Sequence, residues 1–329
     1  MKSIFIAILA IQISVIIMLA NHIYTKNKVL GVTSVNPIQT NTLLETHPDG
    51  LQYFYEPKPD TIIKPEVIFP GLENISYHIN KDGLNQFEDY ATEKSEGIYR
   101  IITLGDSHTF GQNVNTIDNY PFQLQQMLNE RLSCSSIKKF EVINLGVAGY
   151  DFQYTVQRFK LRGEKYNPDL VIWLLVPDDF GRILEKLMPS LQEHIKRAKE
   201  TGEYEENLSN GIYYTEWKKA KNEAVDELGG EDSVLHLQET YLRNINNYYS
   251  GPLLFTFYPI MPEKYIQILE DFQQERKNTY IHGHLPNIYQ KDNLLLPDRH
   301  PNRYGYQLIA ENLMTYLQDK KILNCYFNH

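Results

Sequence analysis

The sequence predicts a three-layer α/β/α domain built on a central parallel β-sheet, with an N-terminal transmembrane helix and a small β accessory region ahead of it. Three observations lead there. From residue 99 onward, short apolar runs alternate with stretches of helical apolar spacing, the pattern of strand–helix–strand units. One run, Asp169–Val176, is apolar almost throughout, as a strand covered on both faces must be. Near the start, Ser3–Ala20 is apolar except for Ser3, Gln12 and Ser14, about the minimum length that crosses a bilayer core.

In chain order, residues 1–24 read as a membrane anchor, because no small-x-small cleavage site precedes Asn21; a cleaved signal segment, and so a secreted protein, is the alternative. Lys2 and the amino terminus face Lys26 and Lys28 across the run, so charge does not set its orientation. Residues 25–60 are polar and carry Pro37, Pro48, Pro57 and Pro59, the composition of a stalk. Residues 61–98 hold β-type runs at Thr61–Ile63 and Ile75–Ile79, separated by Gly71 and followed by Gly83, which predicts a hairpin. The domain at 99–329 opens on a strand at Arg100–Leu104. A helix follows, with Phe122, Leu124, Met127, Leu128 and Leu132 on one face. Further strands are expected at Phe140–Leu145, Asp169–Val176, Leu253–Tyr258 and Thr279–His282. Helices are expected near Gln153–Arg162, from Ile183 to Ile195, at Glu263–Lys277 and at Arg303–Lys320. The charged stretch 201–230 reads as an irregular insertion or a peripheral helix pair. In parallel sheets of this kind, function collects beyond the carboxyl ends of the strands.

Composition narrows the function classes. A net charge of −9 leaves no broad basic surface for a phosphate backbone, which argues against nucleic acid as a partner. Cys134 and Cys325 lack metal-type spacing, and His282 and His284 have no third ligand nearby, so neither metal nor organic cofactor is expected. The 24 tyrosines are expected to pack rather than to form sugar platforms.

The chemistry-bearing residues lie at strand ends. Gly105-Asp106-Ser107-His108 directly follows the first strand, where a serine hydroxyl can meet substrate and backbone N–H groups can face a developing oxyanion. Serine needs a base held by a third group. Asp298 and His300, just before the last helix, can serve as orienting acid and base. The run from Leu104 (L-G-D-S-H-T-F-G-Q), the run Asn144-Leu145-Gly146-Val147-Ala148-Gly149, and D-x-H-P-N-x-x-G at Asp298–Gly305 together resemble three blocks of the SGNH/GDSL hydrolase family, in order.

The resemblance covers residues 99–320 and implies an SGNH, flavodoxin-like sheet, with Ser107, Asp298 and His300 as the catalytic triad. It also implies an oxyanion hole formed by the N–H groups of Ser107 and Gly149, with Asp178 at the place of a third donor. Two departures stand out. The family's third block carries an asparagine donor where this chain has Val176-Pro177-Asp178-Asp179, and an ionised carboxylate can only accept. The acid also stands two residues before the histidine, where three is commoner. The expected function is hydrolysis of a small acyl ester, such as an O-acetyl group on a cell-envelope carbohydrate, by a domain held outside the cytoplasm. Acyl transfer by the same triad, and glycan binding without turnover, remain open alternatives. Cys134 and Cys325 follow the first and last helices, on the same side of the sheet, so a disulfide between them is possible; two separate thiols are the alternative.

Overall fold

A computed structural model of the protein describes residues 43–46, 48–65, 69–202, 212–283, 285, 288–323 and 325–327. Two small hairpins come first: β1 (Leu43–Glu45) pairs antiparallel with β2 (Tyr55–Pro57), and β3 (Thr61–Ile63) with β4 (Tyr77–Ile79). Then follow β5 (Ile98–Leu104), α1 (Ser107–Phe110), α2 (Tyr120–Arg131), β6 (Leu132–Cys134), β7 (Lys139–Asn144), α3 (Phe152–Arg158) and β8 (Leu170–Leu175). The rest is α4 (Leu184–Glu200), α5 (Ile212–Glu227), α6 (Glu231–Arg243), β9 (Leu253–Phe257), α7 (Glu263–Glu275), β10 (Thr279–His282), α8 (Arg303–Asp319) and β11 (Cys325–Phe327).

Five strands form the central sheet in the order β10-β9-β8-β5-β7, parallel at every pair. From β5 the chain moves outward to β7, then crosses back to β8 on the other side. The carboxyl end of β5 is therefore the topological switch point, where such sheets open a crevice. Strand alternation sorts the core into two layers. Ile101 faces the side covered by α2 and α8, packing with Leu124, Leu128, Ile309 and Leu313. Ile102 faces the other side, with Val156 of α3, Leu242 of α6 and Phe272 of α7. Both faces of β8 are covered and all six of its residues are buried, as its unbroken apolar run requires.

The five expected strands of the central sheet are present, with ends displaced by a residue or two. One expectation needs correction, and for the stretch 201–230 the helical alternative holds over 212–227. Residues 43–60 are not a stalk: Phe54 is fully buried, Leu51 and Tyr55 nearly so, and all three pack with Tyr150 and Tyr154. Proline and polar neighbours hide these three anchors from a composition-based reading. The insertion at 201–230 contains the regular helix α5, which lays Trp217, Ala220 and Ala224 on Leu184, Leu187 and Leu191 of α4. Its apolar positions are spaced at three and four residues, but lysines and glutamates dilute the pattern.

The expected anchor Ser3–Ala20 lies outside the described residues, as does His284. Among the described residues no helix is long and apolar enough to cross a membrane. His282 bonds Asn312 through Nε2 at 2.5 Å and stacks on Tyr316. Cys134 and Cys325 form a disulfide at register-matched positions of β6 and β11, their Cα atoms 4.4 Å apart.

Candidate active site

At the carboxyl end of β5, Gly105 has φ +145°, and a Cβ there would stand 2.4 Å from Thr109 Oγ1 and 2.5 Å from the Leu174 carbonyl. Only glycine allows the chain to turn this tightly into α1. Asp106 caps that helix, accepting from the His108 N–H at 2.9 Å, and makes Ser107 the first helical residue. The first N–H groups of a helix have no intrahelical acceptor. Among the described residues the Ser107 N–H has none.

His300 reaches this serine from the loop before α8, with Nε2 at 2.8 Å from Ser107 Oγ. On its other side Nδ1 lies 2.9 Å from Asp298 Oδ2, while the backbone N–H of His300 donates to Asp298 Oδ1 at 3.2 Å. The intervening Arg299 takes φ +72°, turning the loop so that acid and imidazole, two residues apart, stand side by side. This local turn accommodates the shortened Asp-x-His spacing. Asn113 donates through Nδ2 to Asp298 Oδ2 at 2.6 Å, and its own N–H donates to the Tyr77 hydroxyl at 2.8 Å.

Burial opposes charge on Asp298, but the His300 ring and the donated hydrogen bonds outweigh it and hold the carboxyl below its usual range. Burial likewise disfavours a charged His300, yet the Asp298 carboxylate prevails and raises the imidazole above its ordinary value. His108 stacks on His300 with centroids 4.6 Å apart and bonds Asp106 through Nδ1 at 3.1 Å. Burial pushes His108 the opposite way, below its ordinary value, although Asp106 pulls against it.

The loop after β7 lies against the nucleophile turn, because the Val147 N–H donates to the Gly105 carbonyl at 3.2 Å. Asn144 shapes it by accepting the Gly146 N–H at 3.0 Å. Gly149 has φ +83°, and a Cβ there would meet the Tyr55 hydroxyl at 2.8 Å. That hydroxyl donates to the Ala148 carbonyl at 2.7 Å. Gly149 is buried, and its N–H has no acceptor among the described residues. Two backbone donors, from Ser107 and Gly149, are thus available at the switch point.

Asp178 is not such a donor. Its half-exposed carboxylate pairs with Lys221 and, at 3.4 Å, with Arg182 Nη1. Burial opposes its charge, but these two cations hold its carboxyl below the usual range. The neighbouring Asp179 is buried and accepts the Val176 N–H at 3.0 Å.

Arg182 binds both aspartates, and its Nη2 also donates to the Tyr150 carbonyl at 2.8 Å and lies 3.5 Å from Asp106 Oδ2. One guanidinium therefore ties the residue before Ser107 to the residue after Gly149. Its Nε is buried with no acceptor among the described residues.

Ser107, Asp298 and His300 are brought together, with Gly149 on the loop packed against them, while Asp178 faces away into ion pairs. Asn113, Arg182, His108 and Tyr55 were not anticipated. His108 lies inside the first motif run and could have been flagged. The others are polar or aromatic residues with no distinguishing spacing.

No family model matches the chain, and no curated protein matches it. Solved structures it is similar to include proteins described as esterases, a lipase/acylhydrolase and a lipolytic protein of the G-D-S-L family. One is TesA, at 13% identity over 67% of this chain and 98% of that chain, with a TM-score of 0.41. Another is a two-domain esterase (CEX) active on acetylated mannans, co-crystallised with mannopentaose, at 14% identity over 68% of this chain and 50% of that chain, TM-score 0.41. A third is a G-D-S-L family lipolytic protein from Desulfitobacterium hafniense DCB-2, at 16% identity over 66% and 98% of the respective chains, TM-score 0.35.

Proposed function

We propose that the protein is a serine esterase that hydrolyses a small acyl ester, an O-acetyl group of a cell-envelope carbohydrate, from a membrane-tethered position outside the cytoplasm. The observation that carries the reading is the unbroken chain Ser107 Oγ–His300–Asp298, at 2.8 and 2.9 Å, with Asn113 fixing the acid. Ser107 Oγ attacks the acyl carbonyl while His300 Nε2 takes its proton. The tetrahedral oxyanion accepts from the N–H groups of Ser107 and Gly149. His300 then protonates the leaving sugar oxygen. Water, deprotonated by the same imidazole, releases the acid and restores the serine.

Arg182 acts here as a positioning residue that holds both donor segments. The apolar run Ser3–Ala20 and the disulfide, a bond that persists in oxidising compartments, support the location. A second reading, acyl transfer to a sugar hydroxyl, is favoured by the low exposure of the nucleophile and base, 9% for Ser107 and 7% for His300, which limits water.

The test is p-nitrophenyl acetate hydrolysis by a fragment beginning near residue 43, beside Ser107→Ala and Asp178→Asn. Turnover that falls to background in Ser107→Ala is the expected result; equal turnover in that variant would sink the reading. An inactive parent would favour acyl transfer or glycan binding without hydrolysis.

A further inference from the structure

His108 follows the nucleophile in α1, and the triad makes no use of it. Its Nδ1 lies 3.1 Å from Asp106 Oδ1, and its backbone N–H donates to the same oxygen at 2.9 Å. Burial opposes charge on Asp106, but His108 and Arg182 outweigh it and hold the carboxyl below its usual range. An ionised carboxylate can only accept, so His108 Nδ1 carries the proton. A neutral imidazole that donates through Nδ1 accepts through Nε2.

The arrangement repeats that of the base. His300 turns Nδ1 to Asp298 and Nε2 to Ser107 Oγ. His108 turns Nδ1 to Asp106, and its Nε2 has no hydrogen-bond partner among the described residues. The two rings stack with centroids 4.6 Å apart and 30° between their planes, and the Tyr258 ring lies 5.1 Å from His108. Two imidazolium ions so close would repel, so His108 stays neutral while His300 carries the serine proton.

The free nitrogen faces outward. Nδ1 and Nε2 point from opposite sides of the ring, and Nδ1 is turned to Asp106, which is 3% exposed. The His108 side chain keeps 14% of its surface open, and Nε2 is not among the fully buried polar atoms that lack a partner. An acceptor lone pair therefore stands open beside the imidazole that serves Ser107. An ester of a simple alcohol has no proton to give it. A partly acylated polyol does, through the hydroxyl on the carbon next to the ester.

We propose that His108 Nε2 accepts a hydrogen bond from a free hydroxyl beside the scissile ester, so that the enzyme selects partly acylated polyols over esters of simple alcohols. The contact rests on the esterase reading. It holds the alcohol part of the substrate next to His300, which must return a proton to the leaving oxygen.

The test compares 2-hydroxyethyl, n-propyl and 2-fluoroethyl acetate as substrates of the full-length protein. Each kcat/KM is divided by the rate constant for hydrolysis of that ester by hydroxide, which removes differences in intrinsic reactivity. The first two esters differ by a hydroxyl in place of a methyl group; the third carries a polar atom that cannot donate. The hydroxy ester is expected to be favoured about fivefold to tenfold, the worth of one hydrogen bond, with the other two alike. His108→Phe keeps a flat ring against His300 without an acceptor, and its preference is expected to vanish. His108→Gln returns an acceptor oxygen and is expected to recover part of it. Each ratio is taken within one protein, so a variant of lower activity still reports, and the parent comparison stands whatever the variants do.

Equal normalised rates for the hydroxy and propyl esters in the parent would overturn the proposal, as would an undiminished preference in His108→Phe. A fluoro ester as good as the hydroxy ester would also overturn it, because polarity and not a donated proton would then be read. Turnover of p-nitrophenyl acetate without the preference removes this contact and leaves the esterase. No turnover of any ester, p-nitrophenyl acetate included, removes the esterase reading and the contact with it.

Discussion

At Asp298 and His300 the energetics are set by a single exchange: a buried carboxylate is kept ionised, and a buried imidazole is made more basic. His300 takes the serine proton only when neutral. With its value raised above the ordinary 6.5, activity should climb with pH through that raised value. Asp298→Asn removes the anion but leaves the burial, so the acid limb of kcat/KM should move to lower pH while kcat drops sharply. A limb that stays in place would mean another group governs it. Asn113→Ala removes a hydrogen bond to a charged acceptor, worth about 1.5–3 kcal/mol, and should lower kcat by about 10–100-fold with little change in KM. The triad was legible in the sequence because each member sits in a short run whose local geometry does much of the positioning: a cap and glycine turn for Ser107, and a two-residue loop for Asp298 and His300. Asn113 and Arg182 were not legible. They act across about 185 and 76 residues of chain, and an asparagine or arginine at such a distance carries no local signature.

Among the elements, the strands of the central sheet could be read from apolar runs because burial on both faces leaves no room for polar residues. The short antiparallel pairs β1–β2 and β6–β11 could not: the first lies among prolines and polar residues, and the second joins segments 191 residues apart. The first of these is held by charge. Glu56 on β2 is 2% exposed and pairs with Arg158, itself buried, and with Arg162 at 2.8 Å. Replacing Glu56 by alanine leaves Arg158 buried beside no anion and should cost about 3–5 kcal/mol in a denaturant titration. Burial opposes the charge on Glu56, but the two arginines hold its carboxyl below the unfolded value of 4.5. Its contribution is therefore fully present above pH 4.5 and lost as pH falls through the lower folded value. A Glu56→Ala protein whose stability below that range still trails the parent by the full amount would contradict this account.

For the molecule as a whole, the disulfide joins cysteines 191 residues apart and ties the strand after the last helix to the strand after α2. Constraining so long a loop in the unfolded chain is typically worth about 2–4 kcal/mol. Replacing both cysteines by serine should lower the denaturation midpoint accordingly and leave acetate-ester turnover nearly intact, because β6 and β11 form a separate pair outside the central sheet. The parallel sheet with helices on both faces followed from strand–helix alternation, but the place of the leading segment did not, since nothing local says what Phe54 and Tyr55 will meet. Their destination has a practical side. Tyr55 props the turn that carries Gly149, and Glu185 of α4 receives the N–H groups of Gln52 and Tyr53, each at 2.9 Å. A chain cut back to residue 98 would retain all three motif blocks and every strand of the main sheet. On the esterase reading it is nonetheless expected to show no turnover in a screen, because the brace for the Gly149 turn goes with what reads as a tether.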